Sequence, residues 1–397
     1  MSWPLVKLDT VISFIRGVTF KPDDQLEPFS DDSIVVMRTK NVQVEGLDIS
    51  DLIAIPKKLV KRNEQILLEG DILISSANSW ELVGKSSYVN NLDFSATAGG
   101  FISIVRAKES LIYPKYLYHW IMNPKNQHSI RYCGRKTTNI SNLDVSRFKE
   151  LKIPLPPLKE QQRIAAILDK ADAIRQKRKQ AIELADEFLR SVFLDMFGDP
   201  VTNPKGWEVK PLNKFTEVVT GNTPPRKDPE NYGEHIEWIK SDNINTPSHY
   251  LTEATEKLSE QGKMKGRAVM EGAVLMTCIA GSLSCIGNIA IADREVTFNQ
   301  QINAIVPTEH SISEYIYGLM LVSKNQIQEH STNAMKGMIS KGVLSAMTFP
   351  CPPKVEQQKY AKVFQSYMTT MNNLNSHSQQ SNELFNSLSQ KAFSGQL

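Results

Sequence analysis

The stretch IPLPPLKEQQRIAAILDKADAIRQKRKQ, residues 153–180, decides how the rest of the chain is read. An extended, Pro-rich run ends at Pro157, and a long, charged, helix-forming run begins at once. FPCPPKVEQQKYAKVFQSYMTTMNNLN, residues 349–375, repeats the arrangement 196 residues later. Working outward, other blocks pair in the same order. WPLVKL (3–8) pairs with WEVKPL (207–212) at an offset of 204, and Gly17 and Thr19 pair with Gly221 and Thr223. RTKNV (38–42) pairs with KSDNI (240–244), and GDILIS (70–75) with GAVLMT (272–277), both at 202. FISIV ending at Val105 pairs with INAIV ending at Val306, and YLY (116–118) with YIY (315–317). The offset falls in small steps, as small deletions in surface loops produce. The chain therefore reads as a globular domain and a long helix, twice.

The segments are 1–150 (first domain), 151–200 (first long helix), 201–348 (second domain) and 349–397 (second long helix). FGDPVTNPKGW (197–207) is a turn-rich link, with Gly198 suited to ending a helix and Pro200 and Pro204 preventing its continuation. DILIS, FISIV, AVLMT and NAIV read as strands, and 113–123 and 313–330 as helices. Each domain is mixed, without the βαβ rhythm of a doubly wound sheet, so the fold class is α+β with an internal pseudo-two-fold repeat.

Apolar residues in the first long helix recur at alternating steps of three and four: Ile164, Leu168, Ala171, Ile182, Ala185, Leu189, Val192 and Met196, interrupted by Arg175 and Arg178. The second follows the same frame from Tyr360, Phe364, Tyr367, Met371 and Leu374 to Phe385, Leu388 and Ala392. Two such helices are expected to pair as an antiparallel coiled coil, placing the domains at opposite ends of a rod. The arginine stems are expected to lie along Met371 and Leu374.

Composition sets outer limits. Hydrophobic content of 41% and charged content of 22% suit a soluble globular protein. No apolar run is long enough for a membrane helix, and the N-terminus does not read as a signal peptide. Cys133, Cys278, Cys285 and Cys351 show no paired spacing, so free thiols in a cytoplasmic protein are expected, with no metal site. The net charge of +3 neither supports nor excludes a nucleic-acid partner. VGKSS (83–87) resembles the end of a phosphate-binding loop, but Ser79 stands where that loop needs glycine. NTPPR (222–226) lacks the proline after asparagine and the final aromatic of an amino-methyltransferase motif. No nucleophile–base set is found, so no catalytic residue is assigned. The basic run RQKRK (175–179) leaves both a solvated face and a DNA contact open.

The doubled block Pro154, Pro156, Pro157, Glu160, Gln161, Gln162, Arg163, Ala165 and Pro350, Pro352, Pro353, Glu356, Gln357, Gln358, Lys359, Ala361 resembles the specificity subunit of type I restriction-modification enzymes. The opening WPLVKL, the closing KAFSGQL and the G-x-T-P element at 221–224 look like that family too; the counterpart at 17–20 departs by ending in Phe20. The resemblance covers the whole chain. It implies two target-recognition domains, each reading half of a bipartite, asymmetric site in double-stranded DNA. It also implies paired helices that fix the half-site separation and dock two copies of a methylation subunit, through which restriction subunits join. The subunit itself is then non-catalytic and takes no cofactor. S-adenosylmethionine, ATP and magnesium are expected only on partner subunits, with no membrane involved.

Polar loop residues between the strands are the candidate DNA contacts. In the first domain they are Arg38, Lys40 and Asn41; Ser75, Ser76 and Asn78; Lys85 and Ser86; and Arg135, Lys136, Thr137 and Thr138. In the second they are Arg226, Lys227, Lys240, Asn243, Thr277, Ser282, Asn299, Gln300, Gln301, Lys336 and Lys341. For Asn41 and Asn243 a turn-holding role stays open, and Gly17 and Gly221 are expected to shape loops. Glu160, Gln161, Gln162 and Arg163, with Glu356, Gln357, Gln358 and Lys359, form the expected partner surface. Two other classes remain open here. A self-contained nuclease or methyltransferase would act alone with magnesium or S-adenosylmethionine. A protein-only adaptor would show no DNA affinity even with its partners.

Overall fold

A computed structural model describes residues 3–136, 140–332 and 337–397, excluding the side chain of residue 136. Residue contacts divide the chain into two compact units, Met1–Lys179 with Ser376–Leu397, and Gln180–Asn375. Each unit thus takes one globular domain, part of the first long helix and part of the second.

In the first unit, Ile12–Arg16, Ile102–Ala107, Ile72–Ser75 and Ser86–Tyr88 form an antiparallel four-stranded sheet in that spatial order. A smaller sheet holds Ala96–Ala98, Ser33–Met37 and Ala54–Pro56, its first pair parallel. The central strands read ILIS and ISIVRA and are buried on both faces, which is why they lack strict alternation. Leu5–Lys7 pairs antiparallel with Lys152–Pro154, tying the opening of the domain to the residues just before the long helix.

The second unit repeats this plan. Its four-stranded sheet runs Thr216–Thr220, Ile302–Pro307, Val274–Thr277, Ile289–Ile291. A second sheet runs Lys257–Leu258, Tyr232–Ile239, Val296–Phe298, Ala268–Val269, and Val209–Pro211 pairs with Thr348–Pro350.

The expected helix at 113–123 is present as Pro114–Met122, with a proline in its first turn. A second helix, Pro124–Tyr132, follows at once because Pro124 cannot continue the first but can start another, capped by the Asn123 side chain. The helix expected over 313–330 is two, Ser313–Val322 and Lys324–Glu329, since the backbone at Ser323 leaves the helical region.

The long helices are Leu158–Phe197 and Lys354–Ser394. In the first unit Ile164, Ala165 and Leu168 enter the domain core together with Phe385 and Ala392. Arg163 donates to the Leu397 carbonyl and Arg178 to the His377 carbonyl, so low numbers meet high ones and the two segments are antiparallel. In the second unit Leu189, Phe193 and Phe197 pack with Tyr360, Phe364, Tyr367 and Met371, again antiparallel. Arg175 lies over the Phe385 ring at 4.6 Å, not along Met371, and Arg178 caps a backbone carbonyl instead of lying along Leu374. Equivalent repeat positions do not face each other when the segments run in opposite directions. Among the described residues no helix is long and apolar enough to cross a membrane.

Candidate nucleic-acid interface

Loops at the strand ends carry the candidate contacts, and a duplicated asparagine shapes the first of them. Asn41 Oδ1 accepts the Arg38 amide at 2.9 Å, while its Nδ2 donates to the carbonyls of Asp48 (2.8 Å) and Asp51 (2.9 Å). Asn243 accepts the Lys240 amide at 3.0 Å and donates to the Glu253 carbonyl at 3.1 Å. Both asparagines are buried. They brace the loop and are corrected from base contacts to the turn-holding role. What the loop presents is Arg38 and Lys40, both paired with Asp51.

Four other candidates also lie inside. Ser75, Ser86 and Thr277 are fully buried, and Asn299 nearly so. The Ser75 hydroxyl accepts from Asn78, the Ser86 hydroxyl donates to the Gly84 carbonyl, and the Thr277 hydroxyl reaches Asn245. Asn299 accepts the Gln301 amide. Ser75 and Thr277 end strands buried on both faces and Ser86 and Asn299 sit on or just after neighbouring strands, so these side chains support the surface and do not form it. Ser76 and Asn78 stay half-buried; Ser76 donates to the Phe101 carbonyl.

Lys40, Arg135, Arg226, Lys227, Ser282, Gln300 and Lys341 are exposed, and Arg38, Lys85, Lys240 and Gln301 are half-buried. Thr137, Thr138 and Lys336 lie outside the described residues, as does the side chain of Lys136. Arg135 is held by Asp144 at 2.8 Å, the residue that also caps the helix Val145–Lys149.

The densest charged group is in the second unit. The Arg226 guanidinium lies 4.6 Å from the Tyr232 ring centre and 5.1 Å from that of Trp238, and the Lys240 ammonium is 5.3 Å from Trp238. Arg226 and Lys240 both bond Glu256. Burial would raise the Glu256 carboxyl, but these two cations outweigh it and hold the group below its usual range. Tyr232 and Trp238 were not singled out in the sequence. The strand is irregular between Tyr232 and Ile236, so spacing alone could not pair the two rings, which meet edge to face at 6.1 Å. Stacked on the rings, Arg226 turns the outer edge of its guanidinium to Glu256, whose two carboxylate oxygens accept from its two terminal nitrogens.

Gly17 and Gly221 have their expected loop-shaping role. A Cβ on Gly17 would stand 2.2 Å from the Gly99 carbonyl oxygen, and one on Gly221 2.2 Å from that of Asn299. The close approach draws the loop after Gly221 against Asn299, Gln300 and Gln301, where the Thr223 hydroxyl bonds Gln300.

The partner-surface residues divide. Gln162, Arg163, Gln358 and Lys359 are exposed. Glu160–Arg163 and Glu356–Lys359 form ion pairs one turn apart, at 2.6 and 2.7 Å. Gln161 and Gln357 are fully buried and make matching bonds. Gln161 accepts the Tyr113 amide (2.8 Å) and donates to the Pro156 and Leu111 carbonyls (2.8 and 3.2 Å). Gln357 accepts the Ile312 amide (3.1 Å) and donates to the Pro352 and His310 carbonyls (2.8 and 3.1 Å). They are corrected from docking residues to internal staples, joining each long helix to the loop entering a domain helix.

The family model for the type I restriction modification DNA specificity domain matches residues 2–184 and 204–384. The chain is 25% identical to the specificity subunit of the type I restriction enzyme EcoKI of Escherichia coli K12, covering all of this chain and 89% of that one. It is 24% identical to the putative type I restriction enzyme MjaX specificity subunit of Methanocaldococcus jannaschii (91% and 85% covered). With the StySPI specificity subunit of Salmonella potsdam it shares 32% identity over 48% of this chain and 41% of the other. The crystal structure of the type I restriction-modification S subunit from M. genitalium shares the fold at a TM-score of 0.58, with 14% identity and 99% and 96% coverage. So does a chain from a structural study of type I R-M complex assembly, at 0.57, with 15% identity, covering all of this chain and 98% of the other. Matched twice over, in the two halves that repeat each other in sequence and in strand order, the chain belongs to the family of type I restriction modification DNA specificity domains.

Proposed function

We propose that this protein is the DNA-reading, non-catalytic subunit of a type I restriction-modification complex, in which each recognition domain reads one half of a bipartite, asymmetric duplex site. The observation that carries this is the doubled scaffold with diverged loops. Strand order, the Asn41/Asn243 brace and the Gln161/Gln357 staple recur in both units, whereas the exposed loops hold different side chains. One scaffold with two sets of base-facing groups suits two different half-sites joined in one chain. Arg38 and Lys40 in the first unit, and Arg226 and Lys240 in the second, are the leading contacts. Each is held by a carboxylate that a DNA phosphate would displace.

The exposed helix residues Gln162, Arg163, Gln358 and Lys359, with the half-buried Glu160 and Glu356, belong to the surface that receives methylation subunits. Phe188 and Leu384 extend it: they occupy equivalent repeat positions and are 56% and 59% exposed. Two equivalent patches accept two copies of one partner. S-adenosylmethionine, ATP and magnesium belong to the partner subunits in this reading.

The test is to co-express the chain with its methylation subunit and map methylated adenines in host DNA. A two-part asymmetric motif is expected. A single continuous motif, or a stable complex that methylates nothing, would overturn the reading.

A further inference from the structure

The repeat register brings a second pair of equivalent corners into view. VGKSSY (83–88) and IGNIAI (286–291) align, and each turns through a left-handed glycine, Gly84 at φ 85° and Gly287 at φ 80°. The register sets Asn288 where the first unit has Lys85, and Asn245 where it has Gln43. In the first unit Lys85 Nζ donates to Gln43 Oε1 at 3.1 Å. In the second, Asn288 Nδ2 donates to Asn245 Oδ1 at 2.8 Å, and an ammonium still arrives: Lys324, from a different element, donates to Asn288 Oδ1 at 2.5 Å.

Among the described residues neither lysine has a carboxylate within ion-pair distance. Glu45, which favours the Lys85 charge from farther off, gives its hydrogen bond to Lys179. Burial pushes both ammonium groups below their usual pKa. A half-buried cation without an anion costs stability, so its presence in both units through different elements indicates that the charge is used. In the second unit Lys324 lines a cleft of 220 Å³ with Arg190, Thr246, Ser248 and His249. The carboxylate there, Asp186, is engaged by the Tyr367 hydroxyl and lies 3.3 Å from His249 Nε2.

Resting on the functional reading above, we propose that Lys85 and Lys324 are sequence-independent anchors, each seating a backbone phosphodiester of the bound duplex, with Arg190 assisting Lys324. A base-reading group should differ between units that read different half-sites. An ammonium bonded to a side-chain amide at the corresponding corner of both units, Lys85 to Gln43 and Lys324 to Asn288, suits phosphate, which is the same in both half-sites.

The test uses the complex with the methylation subunit and two duplexes, one carrying the mapped motif and one scrambled, titrated across a potassium chloride series. Lys85→Gln or Lys324→Gln should weaken both duplexes by the same factor and lower the slope of log affinity against log salt by about 0.9. Lys324→Arg should keep the slope. The double variant Asn288→Lys/Lys324→Gln, which returns the ammonium to the register position of Lys85, should restore it. An unchanged slope, or a loss confined to the motif duplex, would overturn the proposal. So would an unchanged slope combined with a shift in unfolding midpoint by inorganic phosphate that Lys324→Gln abolishes, because that assigns the cleft to a free anion. If Lys324→Gln itself lowers the midpoint, Lys85→Gln in the other unit carries the same expectation. A wild-type complex that binds neither duplex would instead remove the functional reading.

Discussion

Gln161 is fully buried and closes three hydrogen bonds, and Gln357 repeats them. Truncating Gln161 to alanine strands the Tyr113 amide and two carbonyls in a buried place. A loss of about 2 kcal/mol is expected, read as a lower urea midpoint, with DNA-contact loops untouched. From sequence alone the EQQ block looked like a polar patch at a helix start. Its doubling was legible, but not which of two adjacent glutamines turns inward, because that depends on a carbonyl some fifty residues away. The same limit applied to Ser75 and Thr277, where residue type suggested a contact and strand position made a support. Asp186 yields a pH prediction. Burial alone would raise its carboxyl, but the bonds to His249 and Tyr367 prevail and hold it below the usual range. With the folded value below the unfolded one of about 3.9, this group stabilises the fold above that pH and stops doing so as pH falls through the folded value. Asp186→Asn should therefore be less stable than wild type near neutrality, with the difference shrinking below about pH 4 in acid-unfolding curves.

Along the long helices, alternating steps of three and four marked the inward face correctly: Ile164, Leu168 and Leu189 are buried, as are Tyr360, Phe364, Met371 and Phe385. Spacing says which face is apolar but not what it meets, so the partner of Arg175 was legible only once the antiparallel offset was known. The second domain helix of the first unit was missed for a different reason, since Pro124 reads as a stop although it can equally begin a helix. Outward residues behave oppositely to the seam. Phe188→Ser and Leu384→Ser should change folding stability by no more than about 0.5 kcal/mol, because neither side chain leaves a cavity. Each should nevertheless weaken capture of the methylation subunit by the full chain. A variant that retains full capture would remove its residue from the docking surface.

At the scale of the whole molecule, duplication separates what must stay fixed from what can vary. In the second unit the fixed part is an aromatic joint. Phe193 and Phe197 of the first long helix meet Tyr315 of the domain at 5.7 and 5.0 Å, and Tyr360 of the second long helix at 5.2 and 5.8 Å. The Tyr315 hydroxyl also donates to the Pro350 carbonyl at 2.6 Å, as Tyr116 does to Pro154 at 2.8 Å in the first unit. A replacement for residues 205–348 must therefore bring its own tyrosine at this position, whereas its loops are free to differ. Exchanging 205–348 for another recognition domain that keeps the tyrosine should yield a soluble subunit whose methylation motif changes in one half only. Tyr315→Ala in the unexchanged chain should instead disturb the joint, lowering stability by about 3 kcal/mol and reducing methylation at the whole motif. If the exchanged chain altered both halves of the motif, the two domains would not be reading independently, and the repeat would serve assembly instead of a divided site.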